Sequence, residues 1–142
     1  MITQKMRFFI WYGISLPFFR MTQQIVLLSA TIFGALSIIF GAFGAHALKK
    51  KLTSEQLTSF ETGVKYQMYH AIVLLVVGFN FNQNLNNASL LFVIGTILFS
   101  FSIYGLVLSA TFGKKMKFLG PVTPIGGLCL LIGWLLLLIN SI

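Results

Sequence analysis

Apolar residues along this chain run in long unbroken stretches, not in alternation. Four stretches stand out, at about 25–45, 66–81, 88–110 and 124–139. A bilayer core about 30 Å thick takes about 20 apolar residues to cross as a helix, so each stretch reads as a membrane span. Continuous apolar runs this few in number do not make a closed barrel, whose strands alternate between lipid and lumen. The expected fold class is therefore all-α: a polytopic membrane protein, a compact bundle of four transmembrane helices.

Boundary signals sharpen that division. Leu52-Thr53-Ser54-Glu55-Gln56-Leu57 reads as a capping box, with Thr53 as N-cap, Gln56 at the third position and Leu52 and Leu57 as the hydrophobic staple. The second helix therefore starts near Ser54, well before its apolar part, and an amphipathic lead-in segment precedes the second span. Asn82-Gln83-Asn84-Leu85-Asn86-Asn87 is a polar turn that offers Asn87 as N-cap for the third helix. Thr123-Pro124 offers the fourth an N-cap followed by proline at its first position.

Residues 1–20 need a separate reading. Lys5 and Arg7 precede an apolar run at 8–19 that Pro17 interrupts, too short to span, and no small-x-small cleavage site follows it. Either Met21 is the natural start and the leader is a gene-start artefact, or the leader lies weakly structured at the interface. The membrane domain is expected over 21–142.

Composition supports lipid as the solvent. Hydrophobic residues make up 57% and charged residues 8%, against roughly 45–50% and about 25% in soluble domains. So few polar side chains cannot cover a water-facing globule. A soluble enzyme, a nucleic-acid reader and a disordered tail are excluded. The net charge of +8 looks suited to nucleic acid until its placement is considered. Lys49, Lys50, Lys51 and Lys65 lie between the first two spans, and Lys114, Lys115 and Lys117 between the last two. Both connections fall on one side of a four-span chain. The positive-inside rule makes them cytoplasmic, with the Asn-rich turn and the C-terminus outside. Anionic lipid head groups are the natural partners of these lysines; nucleic acid is not an expected partner.

Helices in lipid associate where small residues let backbones approach. The first span carries Ser37, Gly41 and Ala45 at four-residue steps, with Gly34 and Gly44 close by. The third carries Gly95, Ser102 and Ser109 at seven-residue steps with Gly105 between, and the fourth carries Gly126 and Gly133. These ridges are expected to face the bundle centre, or an interface with a second copy or another membrane protein.

Ionisable and polar groups in such a chain are candidates for function. Threading the topology puts His46, Glu61, Gln67, Tyr69, His70, Tyr104 and Thr123 toward the cytoplasmic end. Glu61 and His70 are nine residues apart, on opposite faces of one straight helix, which counts against a shared metal shell. Neither the spacing of the two histidines nor any local motif signals haem or metal, and no cofactor is expected. The groups can also simply satisfy one another and the helix ends. Cys129 lies in the fourth span, where a buried, packed thiol is the plain reading. No Ser-His-Asp spacing, phosphate loop or CxxC occurs, so no catalytic residues are assigned.

Gly41-Ala42-Phe43-Gly44-Ala45-His46 closing one span and Tyr66-Gln67-Met68-Tyr69-His70-Ala71 opening the next form a specific combination. With Phe99-Ser100-Phe101-Ser102-Ile103-Tyr104, Thr123-Pro124-Ile125-Gly126-Gly127 and Gly133-Trp134, it resembles the small bacterial membrane proteins of domain-of-unknown-function family 423, the YgdD/YwdK-like group. The resemblance covers 21–142. Ala47 and Phe60 depart from it, where glycine and tryptophan are common. The resemblance implies a protein of the bacterial plasma (inner) membrane with about four helices and supplies no established activity. The expected function is non-enzymatic, acting by association with itself, with lipid or with another membrane protein. The alternative is a small transporter or channel with its polar site at the cytoplasmic end of the bundle.

Overall fold

The computed structural model describes residues 20–114 and 116–141; the expectations for the leader at 1–19, and Lys115, lie outside them. Among the described residues there are helices and no strands. Helix α1 (Gln23–Phe43) continues into a π-helical turn, Gly44–Leu48. Helix α2 is Ser54–Phe79. A short 3-10 turn, Gln83–Leu85, leads into α3 (Asn86–Thr96), a second π turn at Ile97–Phe101, and α4 (Ser102–Thr111). A last 3-10 turn, Lys117–Leu119, precedes α5 (Val122–Ser141).

Helices form here because long apolar runs leave backbone amides no other partner, and polar residues fix where they begin. Thr22 Oγ1 accepts the Ile25 amide at the start of α1. At α2 the capping box is complete: Thr53 Oγ1 accepts the Gln56 amide at 3.2 Å, and Gln56 Oε1 accepts the Thr53 amide at 2.9 Å. Two boundaries differ from expectation. Helix α3 starts two residues early, at Asn86, because the 3-10 turn ahead of it already supplies the first hydrogen bond and Asn82 caps that turn instead. Helix α5 starts at Val122, so Thr123 lies inside its first turn and its hydroxyl is free to bond sideways.

Three helical stretches are long and apolar enough to cross a membrane: Gln23–Leu48, Gln83–Thr111 and Lys117–Ser141. The expected span at 66–81 is not among them, so three of the four expected stretches qualify by length and composition. Length is not the reason, since the 26 residues of α2 reach about 39 Å at 1.5 Å each. Polarity is: Glu55, Glu61, Lys65, Gln67 and His70 all lie on it.

Helix α1 packs chiefly on α2, and α3 with its π turn on α5. The small residues do this work inside the chain. Ser37 is buried and donates to the Gly34 carbonyl at 2.7 Å. Cβ atoms placed at Gly34 and Gly41 would touch Ala71 and Val64 of α2, and one at Gly44 would press on the Phe60 ring at 3.0 Å. On the other side Gly95 faces Leu130 and Gly133 faces the Phe92 ring, while Gly105 faces Leu119. The closest approach is at Gly126, where a Cβ would stand 2.8 Å from the Leu98 carbonyl carbon and the Phe99 Cα. Ala45 breaks the expected ridge and is exposed, because the π turn there shifts the helix phase after Phe43. Ser102 and Ser109 act through hydrogen bonds: Ser102 is buried against Thr123, and Ser109 Oγ accepts the Met116 amide at the turn below.

Large apolar side chains that the bundle does not need point outward. Leu28, Ile38 and Ile39 of α1 and Leu128, Leu131 and Leu138 of α5 are all more than half exposed. In water such a surface would be an aggregation liability; against acyl chains it is the ordinary covering of a membrane helix.

Candidate functional site

Threading predicts one polar cluster; the structure divides it. Gln67 and Tyr104 meet in the interior. The Gln67 side chain is fully buried, its amide donates to the Phe33 carbonyl at 2.9 Å, and its oxygen accepts the Tyr104 hydroxyl at 2.9 Å. One glutamine thus ties α1, α2 and α4 together, using a carbonyl that already takes its own helical bond. In an apolar medium each such bond contributes about 0.6 to 2 kcal/mol.

The Tyr104 ring is held by aromatic contacts, with ring centroids 4.9 Å from Phe40 and 4.8 Å from Phe60. Gly63 makes room for it: a Cβ there would lie 2.7 Å from the tyrosine ring. This is the second hydrophobic centre of the bundle, shared with Leu48 and Val107.

His70 lies one turn further along α2, on the same buried face as Gln67. Its Nδ1 is 2.8 Å from the Tyr66 carbonyl. A carbonyl can only accept, so Nδ1 carries the hydrogen and Nε2 of the neutral ring holds the lone pair. Aromatic rings surround the imidazole, with Phe92 at 5.6 Å, Tyr66 at 6.2 Å and Trp134 at 6.4 Å between centroids. Nε2 has no hydrogen-bond partner among the described residues.

The remaining candidates stand apart from this interior. Thr123 pairs with Ser102 at 2.7 Å, pinning the start of α5 to α4. His46, in the π turn after α1, is exposed, and so is Tyr69. Glu61 is exposed on α2 and forms an ion pair with Lys65 at 3.8 Å; such a surface pair contributes about 0.3–0.5 kcal/mol. Lys49, Lys50, Lys51, Lys114 and Lys117 are exposed around the two connections. Among the described residues no three His, Cys, Asp or Glu side chains come together as a metal site would require.

Two partners escaped the sequence reading. Thr96 and Ser100 are buried on the face that α3 and its π turn present, and neither hydroxyl has a hydrogen-bond partner among the described residues. A signal existed: Thr96, Ser100 and Tyr104 recur at four-residue steps through an otherwise apolar span. A groove of about 590 Å³ also opens between the polar side of early α2 (Glu55, Gln56, Ser59) and the apolar side of α4 (Leu106, Val107).

Comparison with known proteins fits this architecture. Residues 40–127 match the family model "Protein of unknown function (DUF423)". The UPF0382 membrane protein of Staphylococcus aureus (strain bovine RF122 / ET3-1) is 42% identical over 117 residues, covering 78% of this chain and 92% of that protein. The one from Staphylococcus haemolyticus is 40% identical over the same length and shares. The UPF0382 inner membrane protein YgdD of Escherichia coli K12 is 33% identical over 126 residues, 86% of this chain and 92% of its own. No solved structure matches the chain. The match spans the closing π turn of α1, the whole of α2 with Gln67 and His70, and the start of α5 with Thr123 and Gly126, and with the relatives it establishes that this chain is an integral membrane protein of the DUF423 (UPF0382) family.

Proposed function

We propose that the protein is a non-enzymatic component of the bacterial plasma membrane that works through its lateral surface, by association with lipid, with copies of itself or with other membrane proteins. One observation carries this reading. The small residues that permit close helix contact are occupied within the chain, while bulky apolar side chains of α1 and α5 face outward. The polar candidates are spread between an interior lock and exposed positions, and do not converge on a reaction centre.

The finer architecture belongs to this proposal. Helix α2 crosses the membrane as a fourth span, with Gln67 and His70 sheltered inside the bundle, and both lysine-bearing connections face the cytoplasm. The inward burial of Gln67 and His70 supports the crossing, because it removes from lipid two of the groups that make α2 polar. Native mass spectrometry from lipid nanodiscs, paired with disulfide crosslinking through Cys129 on α5, tests the association. A dimer, a heteromer or retained lipid is expected. A strictly monomeric, lipid-free species would overturn it.

A further inference from the structure

Most helical hydroxyls of this chain fold back onto their own helix. Ser29, Thr31, Thr58, Thr62, Ser89 and Thr111 each donate to a carbonyl three or four residues earlier. This is the usual solution for a hydroxyl in an apolar setting, where an unpaired polar group is costly. Thr96 and Ser100 do not take it, although they are 1% and 0% exposed.

They also share a seam with a third unpartnered group. Along the antiparallel packing of α2, Gly63 meets the Ser100 carbonyl and the Tyr104 ring, Gln67 meets the Tyr104 hydroxyl, and His70 meets the Phe92 ring. Thr96 falls between Phe92 and Ser100 on that face, opposite the stretch from Gln67 to His70. Three buried polar atoms, His70 Nε2, Thr96 Oγ1 and Ser100 Oγ, therefore belong to residues along one interhelical seam, and none has a hydrogen-bond partner among the described residues. The π turn Ile97–Phe101 lies at the same level, and such turns loosen the regular backbone bonding and occur often at functional sites.

The chemistry of the three atoms defines what they take. Nε2 of the neutral imidazole accepts only, because Nδ1–H is committed to Tyr66. The two hydroxyls both donate and accept. The complement is a molecule that can give a hydrogen bond to the histidine and exchange them with the hydroxyls, small enough for a packed seam. Water meets both conditions, and buried water characteristically serves groups that the protein leaves unpaired.

We propose that the seam between α2 and the π turn is a water-binding site at membrane depth, holding water against His70 Nε2, Thr96 and Ser100. His70 stands about 14 Å from the Phe79 end of α2 at 1.5 Å per residue, so this water is well inside the bundle. It extends the polar line of Tyr104 and Gln67 toward the opposite membrane face. The site does not depend on lateral association and stands or falls separately from it.

The test is ¹⁵N NMR of the full chain in lipid bilayers with labelled histidine. There are two histidines, and His46→Gln assigns the spectrum. The expected result is an Nε2 resonance of His70 displaced toward that of a hydrogen-bonded acceptor nitrogen, with magnetisation transfer from water that survives paramagnetic quenching of bulk solvent. The paired variant Thr96→Val with Ser100→Ala should abolish that transfer while, in a sample labelled also at glutamine and tyrosine, the Gln67 and Tyr104 resonances hold their positions. No transfer from water in the unaltered protein would overturn the proposal, and so would a transfer unchanged in the paired variant. The measurement on the unaltered chain decides the matter if the variant does not fold.

Discussion

Gly126 offers the sharpest test of the packing. Its Cα sits against the main chain of the π turn, so that a methyl group there would meet Leu98 and Phe99 backbone atoms at 2.8 Å or less. Backbone cannot rotate aside as a side chain can, and α5 would have to separate from α3. Overpacking of this kind costs about 1–3 kcal/mol, while alanine in place of glycine returns up to about 1 kcal/mol of helix propensity. With backbone on the receiving side the upper part of the range applies. Gly126→Ala is expected to lose about 2 kcal/mol, near 30-fold in the unfolding equilibrium. The adjacent Gly127 is the control, since a Cβ there meets only the Phe99 ring at 3.7 and 3.8 Å. Gly127→Ala is expected to leave stability unchanged or raise it by up to about 1 kcal/mol. Unfolding in mixed dodecylmaltoside and SDS micelles, followed by far-ultraviolet circular dichroism, reads both. Equal stability of the two variants would refute the close approach of α5 to the π turn.

The interior lock and the α2 cap make separate predictions. Gln67→Leu strands the Tyr104 hydroxyl and removes both hydrogen bonds, so the same SDS titration should show a loss of about 1–3 kcal/mol. Tyr104→Phe keeps the ring contacts with Phe40 and Phe60 and removes one bond, and should cost about half as much; a larger cost than Gln67→Leu would contradict the assignment. Thr53→Ala opens the capping box at about 1 kcal/mol. Hydrogen exchange should quicken at residues 54–57 and remain unchanged at Gln67.

Much of the fold was legible because lipid imposes few options. Uninterrupted apolar runs can only be helices there, and the capping box at Thr53 marked the start of α2 to the residue. The glycines of α1, α3 and α5 signalled close packing, and most of them pack within the chain. What could not be read was pairing between helices. Gln67, Tyr69 and His70 look alike as polar residues in one segment, yet Tyr69 faces outward while Gln67 and His70, about 200° and 100° from it around the helix, are buried, and only the packing on α2 decides which. The π turns were invisible because no local motif marks them. The one at Gly44–Leu48 moved Ala45 outward. The one at Ile97–Phe101 brings Ser100 to the α2 seam. At α2 the packing separates polar groups that the sequence presents together: Gln67 and His70 are hidden inside the bundle, while Glu55, Glu61 and Lys65 stay exposed.

Whether α2 crosses the bilayer is the question on which topology, lysine placement and the sheltered polar face all rest. Single cysteines placed by Lys50→Cys and Asn84→Cys in a Cys129→Ser background, labelled in intact cells with a membrane-impermeant maleimide, answer it directly. The account predicts that the cysteine at position 84 is labelled from outside and the one at 50 only after the membrane is opened. Labelling of both from the same side would show that α2 returns without crossing, and would contradict it.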